Sequence, residues 1–255
     1  MNKQYVSKLA EIIKTSKSTV FFGGAGVSTE SNIPDFRSEK GLYAAHQSYG
    51  ASPEELINRD CYNHNPELFF RYYMENLIFA DAQPNAAHIA LAQLETAGLL
   101  AAIVTQNIDG LHQAAGSKNV LELHGSNDRW YCDSRRCGAK YNLQYTLSPD
   151  NRDGVIPKCA ACGGTVRPDV VLYGETLDDN VVQAAVDAIN AADCLIIGGT
   201  SLVVYPAAGL IQYFGGCNLI LINKSETPYD SRANLVINES IGAVLSATVA
   251  EVFAN

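Results

Sequence analysis

Five short apolar runs set the terms for this chain: Thr19–Phe22, Ala101–Thr105, Val120–Leu123, residues 194–198 and residues 218–222. Segments with the composition and spacing of helices alternate with them, near residues 2–16, Pro66 to about Ala80, Asn85–Ala97, 109–115, 178–191, 206–213 and 240–254. On Asn85–Ala97, for example, Ala86, Ile89, Ala90 and Leu94 fall on one side. Strands separated by helices in this short register predict an α/β protein built on a parallel, doubly wound sheet with right-handed crossovers. Ligands of such sheets sit beyond the carboxyl ends of the strands. With 255 residues, 47% of them apolar and 18% charged, the chain is long enough to bury a full core without disulfides, and disorder is excluded. Residues from about 32 to 63 form a polar and aromatic stretch with no regular pattern.

Between about 125 and 166 the apolar periodicity fades, turn formers such as Ser148-Pro149-Asp150-Asn151 take over, and four cysteines appear. Cys132-x4-Cys137 and Cys159-x2-Cys162 are two close pairs separated by 21 residues. Two such pairs on short hairpins can converge on one tetrahedral zinc, and four thiolates leave no open position for water. The metal is therefore expected to be structural and to organise a small inserted module. Cys61, Cys194 and Cys217 stand alone and are expected to be small core residues.

Chemistry-bearing residues collect where strands end. Thr19–Phe22 runs into Gly23-Gly24-Ala25-Gly26-Val27-Ser28, a turn whose backbone N–H groups could approach a pyrophosphate at the start of a helix. The usual dinucleotide fingerprint needs a third glycine where this chain has Thr29, and no acidic residue closes a second strand about twenty residues on, which weakens a dehydrogenase reading. Gln106-Asn107-Ile108-Asp109 follows strand 101–105 and brings an amide and a carboxylate to the same edge, although Asp109 could equally cap a helix. His124 follows Val120–Leu123 and precedes Gly125, where an imidazole could face a ligand as a base. Of the other histidines, His88 lies among alanines and is expected to be a buried, hydrogen-bonded structural group.

A net charge of −9 argues against a nucleic-acid surface and is compatible with a basic peptide partner. The 30 residues from Cys194 to Asn223 carry no charge, but Gly198, Gly199, Pro206, Gly209, Gly215 and Gly216 cut them into pieces too short for a bilayer, so no membrane partner is expected. The first residues, MNKQYVSKLAEIIKTSKS, break every apolar run with Lys or Glu, unlike a signal peptide. The expected compartment is the reducing cytoplasm, where cysteines more often bind metal than pair.

Six stretches taken together resemble the sirtuins, the NAD-dependent protein-lysine deacylases. They are Gly24-Ala25-Gly26-Val27-Ser28, Ile33-Pro34-Asp35-Phe36-Arg37, Thr105 to His112, Leu123-His124-Gly125, Arg167 to Glu175 and Gly199-Thr200-Ser201-Leu202, joined by the four cysteines, in the family order from residue 23 to about 230. The resemblance implies a Rossmann-like domain over 1–31, 83–124 and 168–255, a cofactor loop and helical module over 32–82, and a zinc-ribbon module over 125–167. NAD and an acetylated lysine peptide would share the cleft between the domains. It assigns NAD contacts to Gly24, Ala25, Gly26, Ser28, Gln106, Gly199, Thr200, Ser201 and Asn223, with Phe36 and Arg37 on a loop closing over NAD. Asn107, Ile108 and Asp109 would line the nicotinamide pocket, with Asn107 also catalytic. His124 would be the general base. Val170, Val171, Tyr173 and Gly174 would border the acyl-lysine tunnel and offer backbone to the peptide as an added strand.

The implied chemistry begins with the acyl oxygen attacking the ribose carbon as nicotinamide leaves, under Phe36, which would exclude water. A neutral His124 then takes a ribose hydroxyl proton, the hydroxyl attacks the imidate carbon, and water releases free lysine and an O-acyl-ADP-ribose. Two departures from the family pattern stand out. Asn32 replaces a glycine before Ile33-Pro34, a position where Asn tolerates left-handed backbone nearly as well. In members that prefer acidic acyl groups a Tyr and an Arg three residues on hold the acyl carboxylate; Tyr73 and Asn76 align there, and Asn supplies no cation. Acetyl or longer neutral acyl groups are expected. The alternatives are a protein ADP-ribosyltransferase or NAD hydrolase on the same scaffold, and a silent NAD-binding or zinc scaffold, against which the pairing of His124 with Asn107 argues.

Overall fold

The computed structural model describes residues 2–35 and 48–254. Six parallel strands form the main sheet: β1 (Thr19–Gly23), β2 (Ala102–Thr105), β3 (Val120–Glu122), β9 (Cys194–Gly198), β10 (Asn218–Ile222) and β11 (Leu235–Ile237). Their order is β11-β10-β9-β1-β2-β3, so the winding reverses between β1 and β9. That is the six-strand order of the dinucleotide-binding doubly wound fold, and its ligand crevice lies at the reversal.

Strand residues alternate between two separate cores. Phe21, Ile103, Cys194, Ile196, Ile220 and Ile222 enter one, whereas Val20, Phe22, Val104, Leu195, Ile197 and Leu221 enter the other. A sheet buried on both faces needs apolar residues at every position, and this is why the sequence runs carry no polar alternation. On the first face lie α1 (Lys3–Thr15), α3 (Ala86–Thr96) and α5 (Ile241–Val252). On the second lies α4 (Asp179–Ala191), capped by Asp178, whose side chain accepts the N–H groups of Asn180 and Val181.

Residues 53–77 and the cysteine-bearing stretch share a third core. Two short helices, Pro53–Leu56 and Arg59–His64, lead into α2 (Pro66–Asn76), which buries Phe69, Phe70, Tyr72 and Tyr73 against Trp130, Cys132, Cys159 and Val166. A small antiparallel sheet, β5-β4-β8, carries this region: β4 is Gly125–Cys132, β5 Lys140–Asn142 and β8 Val166–Val170, with β6 (Arg152–Asp153) and β7 (Ile156–Pro157) forming a short antiparallel ribbon between β5 and β8 in the chain.

Several elements differ from the sequence expectation. Helix α2 stops at Asn76 rather than near Ala80, where the Leu77 carbonyl is taken by the Asn127 side chain at 2.7 Å. Residues Ala207–Tyr213 form a 3-10 helix, and β11 is a strand too short to announce itself. Cys194 is a core residue as expected, but Cys217 is exposed and Cys61 only half-buried. Asn32 adopts φ 62° and ψ 23°, the left-handed backbone expected of it. Among the described residues no helix is long and apolar enough to cross a membrane.

Two buried imidazoles face one another beneath the sheet's carboxyl edge, the His88 and His112 rings lying 4.8 Å apart. His88 Nδ1 accepts the Asn85 N–H at 3.2 Å; among the described residues its Nε2 and both nitrogens of His112 have no partner. Burial, reinforced by His88, pushes His112 down to about 3, and burial also lowers His88. The unfolded rings titrate near 6.5, so the unfolded chain binds more protons just below that value and stability falls as pH drops from about 6.5 toward 3. Replacing His112 with Leu is expected to flatten this decline by up to about 1.4 kcal/mol per pH unit. Urea unfolding of both proteins across this window reads the slope, and an unchanged slope would refute the assignment.

Candidate active site and metal centre

Two glycine turns meet back to back at the reversal point. Gly24 N–H donates to the Gly198 carbonyl at 3.3 Å and Gly26 N–H to the Gly199 carbonyl at 2.8 Å. A Cβ on Gly26 would stand 2.8 Å from both Cα and O of Gly199, and Gly199 itself holds φ +59°. Side chains at either place would push the turns apart, so the crevice is lined by bare backbone, as close approach of a pyrophosphate requires. The α-helix expected after Gly26 is absent: Ala25–Val27 and Thr29–Ser31 are two consecutive 3-10 turns ending at left-handed Asn32. The crevice therefore lacks the aligned dipole of a long helix, and the N–H groups of Gly24, Gly26, Val27, Ser28 and Gly199 are already bonded to backbone carbonyls.

A hydrogen-bonded bed of side chains lies beside the crevice. Ser28, fully buried, donates from Oγ to Asp109 Oδ2 at 2.6 Å and accepts Asn107 Nδ2 at 3.0 Å. Asp109 Oδ1 also accepts the Leu111 N–H at 2.9 Å, at the start of the short helix Leu111–Ala114. Asn107 is held from below by Thr105, whose Oγ1 accepts its N–H at 3.0 Å. Gln106 Nε2 donates to Thr200 Oγ1 at 3.2 Å, linking the ends of β2 and β9. Ile108 lies half-buried within the same loop, and its carbonyl accepts the Asn127 N–H at 2.8 Å. At the β10 end, Asn223 is turned onto its own loop, Nδ2 donating to the Ser225 carbonyl at 2.8 Å, while Ser201 is exposed.

His124 sits at the end of β3, half-buried, with Nδ1 2.8 Å from the Gln106 carbonyl. A carbonyl can only accept, so Nδ1 carries the proton and Nε2 presents the lone pair. Burial lowers the pKa of His124 although the Gln106 carbonyl partly offsets it, so the ring is neutral at neutral pH. The His124 carbonyl takes the Val171 N–H at 3.0 Å, which places the segment after β8 alongside the histidine. There Val170 is buried, Val171 half-buried, and Tyr173 and Gly174 exposed. Several groups of this segment are already engaged: Leu172 N–H on the Glu175 carboxylate at 2.9 Å and Tyr173 N–H on the Ile57 carbonyl at 3.1 Å. Phe36 and Arg37 lie outside the described residues.

The four sulfurs of Cys132, Cys137, Cys159 and Cys162 lie within 4.8 Å of one another, with Cys132–Cys162 at 3.5 Å and Cys137–Cys159 at 3.6 Å. A regular tetrahedron with zinc–sulfur bonds of about 2.3 Å has edges of about 3.8 Å, so the set fits zinc. Cys159 is drawn down to about 6 chiefly by the Tyr141 hydroxyl, 2.9 Å from its sulfur, and Cys162 is lowered by the Gly164 N–H. Sequence spacing found the four ligands. It could not find Tyr141, or Thr105 beneath Asn107, because neither carries a local pattern.

Strand order and a bare-backbone crevice at its reversal place the chain among the dinucleotide-binding α/β folds, here with a four-thiol metal module attached. Residues 24–206 match the Sir2 family. A Clostridium acetobutylicum protein named NAD-dependent protein deacetylase is 57% identical over 244 residues, covering 96% of this chain and 98% of that protein. One of the same name from Clostridium perfringens is 58% identical over 245 residues, covering 96% and 98%. Among solved structures, a Sir2–p53 peptide–NAD+ complex superposes with a TM-score of 0.85 at 36% identity, covering 98% of each chain. A Sir2 bound to acetylated peptide gives 0.83 at 35% identity, again covering 98% of each. The chain belongs to the Sir2 family, the sirtuins.

Proposed function

We propose that this chain is an NAD-dependent protein-lysine deacetylase, releasing free lysine, nicotinamide and O-acetyl-ADP-ribose. The observation that carries the reading is the orientation of His124: its Nδ1 proton is committed to the Gln106 carbonyl, leaving a neutral Nε2 as the proton acceptor beside the crevice. Relatives at 57% and 58% identity bear the name of that activity.

Bound NAD supplies an electrophilic ribose carbon and a leaving group. The turns at Gly24, Ala25 and Gly26 and at Gly199, Thr200 and Ser201, with Asn223, would receive its phosphates and riboses. The Ser28–Asn107–Asp109 bed, with Ile108, would hold the nicotinamide amide, and its internal bonds already fix the Asn107 side chain. His124 Nε2 takes the proton of a ribose hydroxyl, a transfer the ring can perform at neutral pH because burial keeps it unprotonated. Val170, Val171, Tyr173 and Gly174 border the acyl-lysine. Cys132, Cys137, Cys159 and Cys162 hold one structural zinc, which takes no part in the chemistry. In this reading the stretches 1–31, 83–124 and 168–255 form the nucleotide domain, 32–82 the cofactor loop and helices, and 125–167 the zinc module. A reducing cytoplasm suits its free thiols.

Incubation with NAD and an acetyl-lysine peptide is expected to give nicotinamide and deacetylated peptide in equal amounts by mass spectrometry. Nicotinamide without peptide product would instead favour the hydrolase, and ADP-ribose on protein the transferase. Acyl choice gives a second test. Tyr73 is fully buried with its hydroxyl on Asn127 Oδ1 at 2.6 Å, and Asn76 donates to the Tyr72 carbonyl at 3.0 Å, so neither residue offers a cation to an acyl carboxylate. A charge-assisted hydrogen bond contributes about 1.5–3 kcal/mol, so kcat/KM for an acetyl-lysine peptide is expected to exceed that of its succinyl twin by at least about tenfold. The reverse order would overturn this.

A further inference from the structure

One charged cluster lies outside the site and is used by none of its chemistry. Arg167, in β8, is only 2% exposed, yet it carries a full charge. Its guanidinium grips Glu175 at two points, Nη1 to Oε1 at 2.8 Å and Nη2 to Oε2 at 2.9 Å, and Nη2 also donates to the Val170 carbonyl at 3.1 Å. Glu175 Oε2 accepts the Leu172 N–H at 2.9 Å, and Oε1 accepts Arg59 Nη1 at 3.1 Å. The carboxylate thus makes four bonds, about its full accepting capacity. Burial would raise Glu175, but Arg167, the Leu172 N–H and Arg59 outweigh it and hold the carboxyl below its ordinary value.

What the cluster holds is the segment from Val170 to Glu175. That segment turns around the Arg167 guanidinium, and its outer side is tied by Arg59 N–H to the Tyr173 carbonyl at 3.0 Å and by Tyr173 N–H to the Ile57 carbonyl at 3.1 Å. Tyr62 completes the node: both guanidinium carbons lie 5.1 Å from its ring centroid, and its hydroxyl donates to Asp133 Oδ2 at 3.0 Å, one residue beyond the metal ligand Cys132. Three separate parts of the chain are fastened here: the helices before α2, the metal module, and the segment beside His124.

We propose that the Arg59–Glu175–Arg167 clamp is a positioning device for peptide, shaping Val170–Gly174 to receive the acyl-lysine chain and so setting the peptide KM without entering the chemistry. The inference rests on the reading that Val170–Gly174 borders that chain. A buried bidentate pair holds one geometry where loop hydrogen bonds alone would allow several, so losing it frees the backbone that must be ordered on binding.

The test uses the full-length zinc-loaded protein with Glu175→Gln, which keeps the shape and removes the charge. The expected result is a rise of at least tenfold in KM for an acetyl-lysine peptide, with kcat changed less than about threefold and NAD affinity unchanged. Amides of 170–175 should exchange faster in the variant before peptide is added. Should Glu175→Gln fail to fold, Arg59→Gln, at the more exposed end of the clamp, is expected to shift the same parameter in the same direction by a smaller factor. Hydrogen exchange on the wild type separates the two levels of the argument. If peptide and NAD protect 170–175 but a folded variant keeps the wild-type peptide KM, or loses kcat instead, the clamp is overturned. If peptide leaves 170–175 unprotected in the wild type, the reading beneath it fails as well.

Discussion

Alanine in place of His124 is expected to slow turnover of an acetyl-lysine peptide by about 10²–10⁴-fold, the range a positioned general base contributes, while the Kd for NAD changes by less than about threefold. The split follows from where the ring is anchored. Its side chain bonds the Gln106 carbonyl through Nδ1, so the glycine turns and the Ser28–Asn107–Asp109 bed do not depend on it. The same geometry fixes a pH signature. Because burial favours the neutral ring, the acid limb of kcat/KM should fall with a midpoint below the ordinary imidazole value of about 6.5 and should disappear in the variant. Steady-state kinetics across pH, with NAD binding by calorimetry, measures both. Wild-type turnover in the variant, or a parallel loss of NAD affinity, would remove His124 from the role assigned to it.

Stripping the metal should be nearly as damaging, through structure and not chemistry. Chelation, or Cys159→Ser, is expected to lower bound zinc from one per chain toward none, to unfold the region carrying β4, β5 and β8, and to cut deacetylation at least about a hundredfold. Structural zinc contributes roughly 10–16 kcal/mol of apparent binding energy in small metal modules, as much as the whole stability of a typical domain. Cys132 and Cys159 are also members of the third core, against Trp130 and Val166, so separating the thiols opens apolar packing too. The two cores flanking the six-stranded sheet contain none of the four ligands, so the sheet should survive. Far-UV circular dichroism should report a partial loss, and zinc replacement should restore activity. Full activity in a metal-free sample would contradict the assignment.

Legibility from sequence followed the range of the interaction. Strands buried on both faces announced themselves because every position in 194–198 had to be apolar. The four clustered thiols were legible because two tight turns impose spacing on cysteines, and the positions of His124 and Asn107 past strand ends because each closely follows an apolar run. What failed depended on contacts remote in sequence. The end of α2 is decided by the side chain of Asn127, fifty residues on. The turn after Gly26 stays 3-10, its geometry set in part by the Gly26–Gly199 bond. The Arg167–Glu175 pair lay within a recognised stretch, but its partner Arg59 sat in the region that showed no pattern at all.

The pairing of β1 with β9 joins Thr19 to Cys194, 175 residues away, whereas the four thiols span only Cys132 to Cys162. Loop closure of that length delays folding, and a chain emerging from the ribosome at about 5–20 residues per second exposes its first strand long before the partner exists. The metal module can therefore assemble during synthesis while the centre of the sheet waits. Gly24 and Gly26, leaning on Gly198 and Gly199, are thus among the last places to take shape, and nascent chains released early would hold metal yet lack the nucleotide crevice.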